Sequence, residues 1–329
     1  MSPSAHPDAP IIIFGTANFG SPEDSKGKLF GPVTVEQGRE YLDVLQEFNV
    51  DVLDTARIYS GGESEKLLGA LDASREFKMC TKASGTLDGC GTRDAVLSAF
   101  KASSEALGVK EVDTYYLHTP DRTTSLEETM DTINELHKAG SFKTFGISNL
   151  RADEVQHLHT YARSKNYILP TIYQGTYNLL SRQCETKLLP LLRTLGIRFY
   201  AYSPLCCGLL INAEAKLQAS TGRWDTSHFG GKFMNALYNK PSYIAASNAF
   251  QDMCGKYGVR PAGAAYRWVR YHSELEGGLG DGMVVGASSA RQLEESLGEI
   301  EKGPLEEGLV GELEGLWDLV KEDAPAYSL

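Results

Sequence analysis

A regular alternation of short apolar runs with amphipathic segments is the feature that most limits what this chain can fold into. The apolar runs have strand length, and the segments between them carry apolar residues at helical spacing. The predicted strands are 9–15, 50–56, 76–84, 112–120, 143–149, 170–174, 198–204 and 281–288. The predicted helices are 34–48, 63–71, 92–108, 125–140, 151–165, 182–196, 242–257, 261–271, 289–300 and 306–320, and a long polar segment at 211–241 interrupts the alternation.

About eight strand–helix units predict an α/β fold. Each strand–helix–strand step implies parallel pairing, and eight units favour a closed (β/α)8 TIM barrel with its chemistry at the carboxyl ends of the strands. A doubly wound open sheet is the alternative, but "FGTANFGS" after the first strand lacks the G-x-G-x-x-G fingerprint. We therefore predict one barrel domain over residues 11–329, preceded by a short disordered lead at 1–10.

Composition excludes several classes of function. The net charge of −11 argues against nucleic acid or an anionic membrane as a partner. No stretch of about 18 uninterrupted apolar residues predicts a membrane span, and the N-terminus lacks a secretory signal pattern. The six cysteines have no paired spacing, which predicts reduced thiols and a cytoplasmic location.

Four polar residues fall at or just after the carboxyl ends of successive predicted strands. Asp54 ends the second, Tyr59 lies in the loop after it, Lys82 ends the third and His118 ends the fourth. A phenol is too weak an acid to release its proton easily at neutral pH, but a lysine cation favours the phenolate, and a carboxylate orients the lysine. Singly, these residues have structural explanations, an ion pair or a strand cap. Together they predict acid catalysis at a carbonyl. Such a reaction also needs a nucleophile, and hydride from a bound cofactor can serve as one.

At this point the chain resembles the aldo-keto reductase superfamily, whose signature is Asp, Tyr, Lys and His on consecutive barrel strands. The likeness is greatest to the aflatoxin-aldehyde reductase branch. It is carried by the stretches "GTANFG", "DTARIYSGGESE", "YYLHTPD", "GISN", "ILPTIYQGTYN", "IRFYAYSPLCCGLL" and "GASSARQLEES". The resemblance implies that Tyr59 is the general acid, that Lys82 and Asp54 tune it and that His118 orients the substrate.

The resemblance also implies an NADPH site and a metal-free mechanism. Amide- and hydroxyl-bearing residues would hold the nicotinamide carboxamide, Tyr202 would stack on its ring, and the segment that joins "GASS" to a helix would bind the adenosine phosphate, which suits a helix N-terminus. Arg291 favours NADPH over NADH, with a solvated helix charge as the equal alternative. The expected cofactor residues are Ala17, Asp54, Ser148, Asn149, Gln174, Tyr202, Ser203, Leu205, Gly208, Leu210, Arg223, Gly286, Ser288, Ser289, Arg291 and Gln292.

Departures from the branch pattern bear on the substrate. "CCGLLINAEAK" replaces the usual "GGLLTGKY", so Cys206 and Cys207 add volume beside the expected phosphate loop. The arginines that members acting on carboxylate-bearing aldehydes carry in the 235–245 loop and at the C-terminus are missing here, which favours an apolar or aromatic carbonyl compound. The expected substrate contacts, with Tyr59 and His118, are Phe19, Trp224, Phe229, Tyr238 and Tyr327.

Two motifs lack the context that their usual function requires. "YARSK" matches the Tyr-x-x-x-Lys of short-chain dehydrogenases but lies in a predicted helix without the required glycine motif, and the two histidines of "HLH" point apart on a helix. The sequence thus predicts an NADPH-dependent reductase of aldehydes or ketones. Two alternatives stay open: a biosynthetic reductase of secondary metabolism, and a non-catalytic, cofactor-sensing regulatory subunit of the same fold. A homodimer is also expected from the branch.

Overall fold

The computed structural model describes residues 6, 8–20, 33–83, 87–219, 224–227 and 229–328, with the backbone only at 219 and 229. Its strands pair in parallel and in chain order, and the last pairs with the first to close the barrel. This confirms the predicted (β/α)8 class. The strands are β1 (Ile11–Gly15), β2 (Val52–Asp54), β3 (Lys78–Ala83), β4 (Val112–Leu117), β5 (Phe142–Ser148), β6 (Pro170–Thr176), β7 (Arg198–Tyr202) and β8 (Gly282–Val285).

Helices surround the barrel. They are α1 (Val35–Glu47), α2 (Glu63–Ala70), α3 (Arg93–Leu107), α4 (Leu126–Lys138), α5 (Ala152–Ser164), α6 (Cys184–Leu195), α7 (Leu209–Ala219), α8 (Phe229–Tyr238), α9 (Pro241–Lys256), α10 (Pro261–Tyr271), α11 (Ala290–Ile300), α12 (Glu307–Glu314) and α13 (Leu316–Val320). The polar segment at 211–241 therefore contains most of α7 and all of α8. Their pattern is hard to recognise because α7 is broken by a non-helical Asn212. The helix predicted at 306–320 is divided into α12 and α13.

Capping residues explain where several helices begin and end. The Thr34 side chain accepts a hydrogen bond from the Gln37 amide, and the Gln37 side chain accepts one from Thr34, so a complete capping box starts α1. Gly108 follows α3 with φ of +68°, and Gly196 follows α6 with φ of +69°. Both occupy the left-handed region that glycine adopts at low cost, so the helices stop where glycine occurs.

The core has two layers because alternate strand residues face opposite sides of the sheet. On β4, Tyr115 packs outward against the helix layer, with its ring 5.1 Å from that of Phe100 on α3. Its neighbour Tyr116 points into the barrel. The barrel interior is lined by Ile13, Val52, Cys80, Tyr116, Ile172, Tyr200 and Val284. The barrel is a packed core, which leaves its chemistry to the strand ends.

The predicted disordered lead falls partly outside the described residues. Of the part described, the His6 ring contacts the Tyr271 ring at 5.2 Å, and the Pro10 carbonyl accepts a hydrogen bond from Arg270. The six cysteines are unpaired thiols, as predicted. Among the described residues, no helix is long and apolar enough to cross a membrane.

Candidate active site

Lys82 and Asp54 form a buried ion pair at the carboxyl ends of β3 and β2. Both side chains are almost fully enclosed, and the ammonium contacts Asp54 Oδ1 and donates to the Thr55 carbonyl at 2.8 Å. Gln174 on β6 donates to Asp54 Oδ2 at 2.8 Å. Burial by itself lowers the pKa of Lys82, but the Asp54 carboxylate, followed by Tyr59 and Cys80, raises it above its ordinary value. Lys82 is therefore held as a cation in the protein interior.

Tyr59 reaches this cation from the loop between β2 and α2. The loop makes a tight turn in which Ser60, Gly61 and Gly62 all have positive φ, between +49° and +99°. Lys82 Nζ lies 5.1 Å from the centroid of the Tyr59 ring, within the range of a cation–π contact. The two groups share one side of the barrel mouth.

His118 follows β4 directly and completes the group of four. Its ring lies edge-on to the Tyr59 ring, with centroids 5.8 Å apart. The residue is partly buried, but its Nδ1 atom is enclosed and has no hydrogen-bond partner within the described part of the chain. Desolvation, together with the nearby Lys82 cation, lowers the pKa of His118 to about 3. The imidazole is thus neutral at ordinary pH and can donate a hydrogen bond without adding charge.

The residues expected to hold a nicotinamide carboxamide gather across the barrel mouth. Ser148 ends β5 and is in register with Gln174 on β6. Asn149, in the left-handed region with φ of +61°, donates to the His118 carbonyl at 2.8 Å and to Ser148 Oγ at 3.0 Å. The Tyr202 hydroxyl, at the end of β7, donates to Asn149 Oδ1 at 3.0 Å. These amide and hydroxyl groups suit an amide ligand, and the Tyr202 ring suits stacking on a flat heterocycle.

The loop after β7 has an unusual backbone. Ser203, Cys206 and Cys207 have φ of +57°, +49° and +55°, and Gly208 has +90°. The Ser203 carbonyl accepts a hydrogen bond from Asn178 at 2.9 Å, and the Cys207 carbonyl accepts one from Trp224 at 3.3 Å. Leu205 is half-buried and Leu210 fully buried. Two cysteines thus occupy conformations that glycine adopts more easily.

The expected phosphate site lies where β8 leads into α11. Gly286, Ser288, Ser289, Arg291 and Gln292 are all exposed there. Ser289 Oγ caps the helix by accepting from the Gln292 amide at 3.1 Å, and the Ser288 hydroxyl donates to Gln292 at 2.8 Å. Arg291 pairs with Glu295 one turn along at 3.1 Å. Hydroxyls at the start of a helix are a suitable anion site.

The expected aromatic substrate contacts are mostly packed side chains. Phe19 is fully buried between Phe14 and Tyr41. Trp224 and Tyr238 are also buried, with their rings 6.4 Å apart. Ala17, among the expected cofactor residues, is partly exposed in the turn after β1.

Tyr327, near the C-terminus, accepts a hydrogen bond from the Ala152 amide at the start of α5. Arg223 and the side chain of Phe229 lie outside the described residues.

Sequence reasoning missed a buried polar network that supports the Tyr59 loop. Glu65 on α2 is fully buried, accepts from the Thr81 hydroxyl at 2.6 Å and pairs with Arg57 from the loop itself. The Ser64 hydroxyl lies 2.9 Å from those of Thr16 and Thr55. The available signal was the "SE" of "GGESEK", two polar residues at the start of a helix facing the barrel.

Comparison with known proteins fits this geometry. Residues 11–318 match the model of the aldo/keto reductase family. The chain is 38% identical to an aldo-keto reductase of Pseudocercospora fijiensis over 87% of this chain and 99% of that protein. It is 36% identical to the human aflatoxin B1 aldehyde reductase member 4 over 97% of each chain, and 34% identical to the mouse aflatoxin B1 aldehyde reductase member 2 over 98% of this chain and 89% of the relative.

The chain therefore belongs to the aldo/keto reductase family, as predicted. Membership supports an oxidoreductase that acts on carbonyl compounds with a nicotinamide cofactor.

Proposed function

We propose that this protein is an NADPH-dependent reductase of aldehydes and ketones in which Tyr59 is the general acid. The observation that carries the proposal is the position of the Lys82 ammonium, paired with Asp54 and 5.1 Å from the Tyr59 ring centroid. A lysine cation held charged beside a phenol favours release of the phenolic proton.

The chemistry of the donors around the barrel mouth fits a nicotinamide cofactor. Ser148, Asn149 and Gln174 would hold the carboxamide, Tyr202 would contact the ring, and the hydroxyls at the start of α11 would bind a phosphate. When bound, NADPH supplies the hydride that reduces the carbonyl carbon.

The residues of the chain handle the proton. Tyr59 donates its phenolic proton to the carbonyl oxygen, and the Lys82 cation stabilises the phenolate that remains. Neutral His118 donates a hydrogen bond that orients the same oxygen. In the reverse direction, alcohol oxidation, the Tyr59 phenolate accepts the proton.

The preference for NADPH and the preference for an apolar substrate each rest on one or two side chains. Arg291 at the start of α11 would attract a 2′-phosphate. Ile58 beside Tyr59 and Leu87 after β3 are 40% and 76% exposed, and they place apolar surface in loops at the strand carboxyl ends. This apolar surface favours an uncharged, apolar or aromatic carbonyl compound. Cytoplasmic location and a homodimer stay predictions.

Two measurements test the proposal. NADPH binding is followed by quenching of tryptophan fluorescence, and NADPH consumption is then measured with a panel of aliphatic and aromatic aldehydes and ketones. A cofactor-sensing subunit would bind NADPH with barely any steady turnover. A reductase specialised for a biosynthetic intermediate would bind NADPH and turn over only compounds close to that intermediate.

Tyr59→Phe tests the assigned acid. We expect NADPH binding to be retained and kcat to fall by about 10²- to 10⁴-fold, because the proton donor is removed. Tyr161→Phe on α5 is the control, since the Tyr161 hydroxyl bonds Asp131 on the outer surface. Near-normal turnover by Tyr59→Phe would show that another group supplies the proton.

A further inference from the structure

The Lys82 side chain lies against a second tyrosine ring besides that of Tyr59. Its Nζ atom is 5.5 Å from the centroid of the Tyr116 ring on β4. Lys82 and Tyr116 are direct partners in the β3–β4 register, and both are fully buried. The ammonium therefore contacts two aromatic rings, that of Tyr116 from the barrel interior and that of Tyr59 from the loop.

Gly146 on β5 makes room for this ring. It is the register partner of Tyr116, and a Cβ atom at Gly146 would lie 2.3 Å from two carbons of the Tyr116 ring. Real Cβ contacts are never this short, so any larger residue would displace the ring. The β5–β6 register also shifts at this point, between Phe145 and Gly146. The backbone of β5 thus leaves a space that the Tyr116 ring fills.

The contact involves the face of the ring and not the phenol group. Within the described residues, the Tyr116 hydroxyl is buried and has no hydrogen-bond partner. Burial, followed by the nearby Cys80 and Asp54, raises the pKa of Tyr116 well above its ordinary value, so the ring stays neutral. A neutral aromatic face attracts a cation through its quadrupole, most strongly where water is excluded. The titratable groups that face Lys82 are Asp54, Tyr59, Cys80, Tyr116 and His118.

We propose that Tyr116 is a positioning residue whose ring, seated on Gly146, stabilises the Lys82 cation and directs it at Tyr59. The inference rests on the proposed function, since it assigns the support of the proposed acid–base pair. Tyr116 is fully buried in the barrel interior, so we expect it to act only through Lys82.

Four variants separate this role from ordinary core packing. Tyr116→Phe keeps the ring and removes the unpartnered hydroxyl, whereas Tyr116→Met fills the space with an adaptable side chain that has no ring. Gly146→Ala displaces the ring without changing Tyr116, and it serves if Tyr116→Met does not fold. Tyr115→Met is the matched control, because Tyr115 is equally buried and its hydroxyl is also unpartnered among the described residues, but its ring faces the helix layer.

Carbonyl reduction is measured against pH with saturating NADPH. We expect Tyr116→Met and Gly146→Ala to move the basic limb of the kcat profile to lower pH by about one unit and to reduce kcat about tenfold, with the KM for NADPH unchanged. The sign follows because a less stabilised cation loses its proton at lower pH. Tyr116→Phe should match the wild type, and Tyr115→Met should lower the melting temperature and leave the pH profile in place.

A readout that needs no turnover separates this inference from the proposed function. The Nζ resonance of Lys82, assigned by its loss in Lys82→Met, is titrated by NMR in the full chain. If the wild-type protein showed no turnover, the proposed function would be overturned. A lower titration midpoint of Lys82 in Tyr116→Met would still support the aromatic contact. A pH profile and an Nζ titration unchanged in Tyr116→Met and in Gly146→Ala would overturn the inference and leave Tyr116 as a core residue.

Discussion

Gln174 Nε2 donates a hydrogen bond of 2.8 Å to Asp54 Oδ2, the carboxylate oxygen that Lys82 leaves open. Gln174 lies on β6 and Asp54 on β2, so the bond crosses the barrel interior. It joins the residues expected to bind the carboxamide to those expected to tune the acid. The two groups therefore form one connected site.

Removing that hydrogen bond should weaken both functions. Gln174→Met leaves a buried carboxylate oxygen without its donor, so we expect a loss of about 1–3 kcal/mol in the free energy of unfolding, a lower kcat and a higher KM for NADPH. Gln183→Met is the control, since Gln183 bonds the Pro325 carbonyl outside this network. Denaturant unfolding and steady-state kinetics measure both effects. If the KM of Gln174→Met for NADPH stayed at the wild-type value, the assignment of Gln174 to the carboxamide would lose its support.

Lys82→Met should change both the rate and its pH dependence. The phenol loses the cation that favours its ionised form, so we expect kcat to fall by about 10²- to 10⁴-fold and the basic limb of the residual activity to move to higher pH. Tyr116→Met is expected to move the basic limb to lower pH, so the two variants should shift it in opposite directions. Lys143→Met, at a surface lysine paired with Asp113, controls for the loss of a positive charge. An unchanged pH profile in Lys82→Met would refute the functional pairing of Lys82 with Tyr59.

His118 should make the protein less stable in acid. Its pKa is lowered to about 3 from an ordinary value of 6.5, so the unfolded chain binds a proton that the folded protein refuses. The contribution of the neutral His118 imidazole to the free energy of unfolding is present in full above pH 6.5. It is lost progressively as the pH falls from 6.5 towards 3. We expect His118→Asn to flatten the curve of unfolding free energy against pH over this interval. His157→Asn, at an exposed histidine paired with Glu127, should leave it unchanged. If the wild type and His118→Asn gave equal curves of unfolding free energy against pH, the His118 imidazole would not be enclosed in the folded protein.

Arg57 should support catalysis through the loop that carries Tyr59. Arg57→Gln leaves the buried Glu65 without its ionic partner, so we expect a loss of about 3–5 kcal/mol in stability and a fall in kcat. Arg193→Gln is the control, because Arg193 pairs with the equally buried Asp281 just before β8, at the opposite end of the barrel. Both variants should unfold at lower denaturant concentration, but only Arg57→Gln should turn over more slowly. A kcat unaffected by Arg57→Gln would limit this pair to a structural role.

Arg291 tests the choice of cofactor. Arg291→Ala should raise the KM for NADPH about tenfold and leave that for NADH nearly unchanged, since only NADPH carries the 2′-phosphate. Arg260→Ala removes another partner of Glu295 from a neighbouring helix and should change neither value. Parallel increases for both cofactors would show that Arg291 does not recognise the 2′-phosphate.

Much of the fold was predictable because local patterns repeat at every unit. The helix predicted at 34–48 begins with the cap residue Thr34, and the helix predicted at 92–108 ends at Gly108. The strand predicted at 112–120 begins at Val112 but ends at Leu117, before His118 leaves the sheet. The region around Asn212 was not recognised as helical, because a break in α7 erases the periodicity on which the prediction depends.

The four residues of the proposed site were predictable from their order along the chain, and their contacts were not. Strand ends converge in any closed barrel, which is why Asp54, Lys82 and His118 were expected to meet. The aromatic residues were harder to interpret. Phe19, Trp224 and Tyr238 were candidates for a substrate surface, but the structure packs them inside. Composition does not separate an aromatic residue that lines a mouth from one that fills a core.

The sequence by itself determined the barrel and the family and predicted the acid–base residues, because each depends on residue types at fixed positions along the chain. Only the tertiary structure decided which groups surround the Lys82 cation: Gln174 behind Asp54, and the Tyr116 ring seated on Gly146. These residues are far apart in sequence, and their contacts depend on strand register and on which face of the sheet each side chain takes. A single sequence does not encode that alignment locally; it arises when the barrel closes.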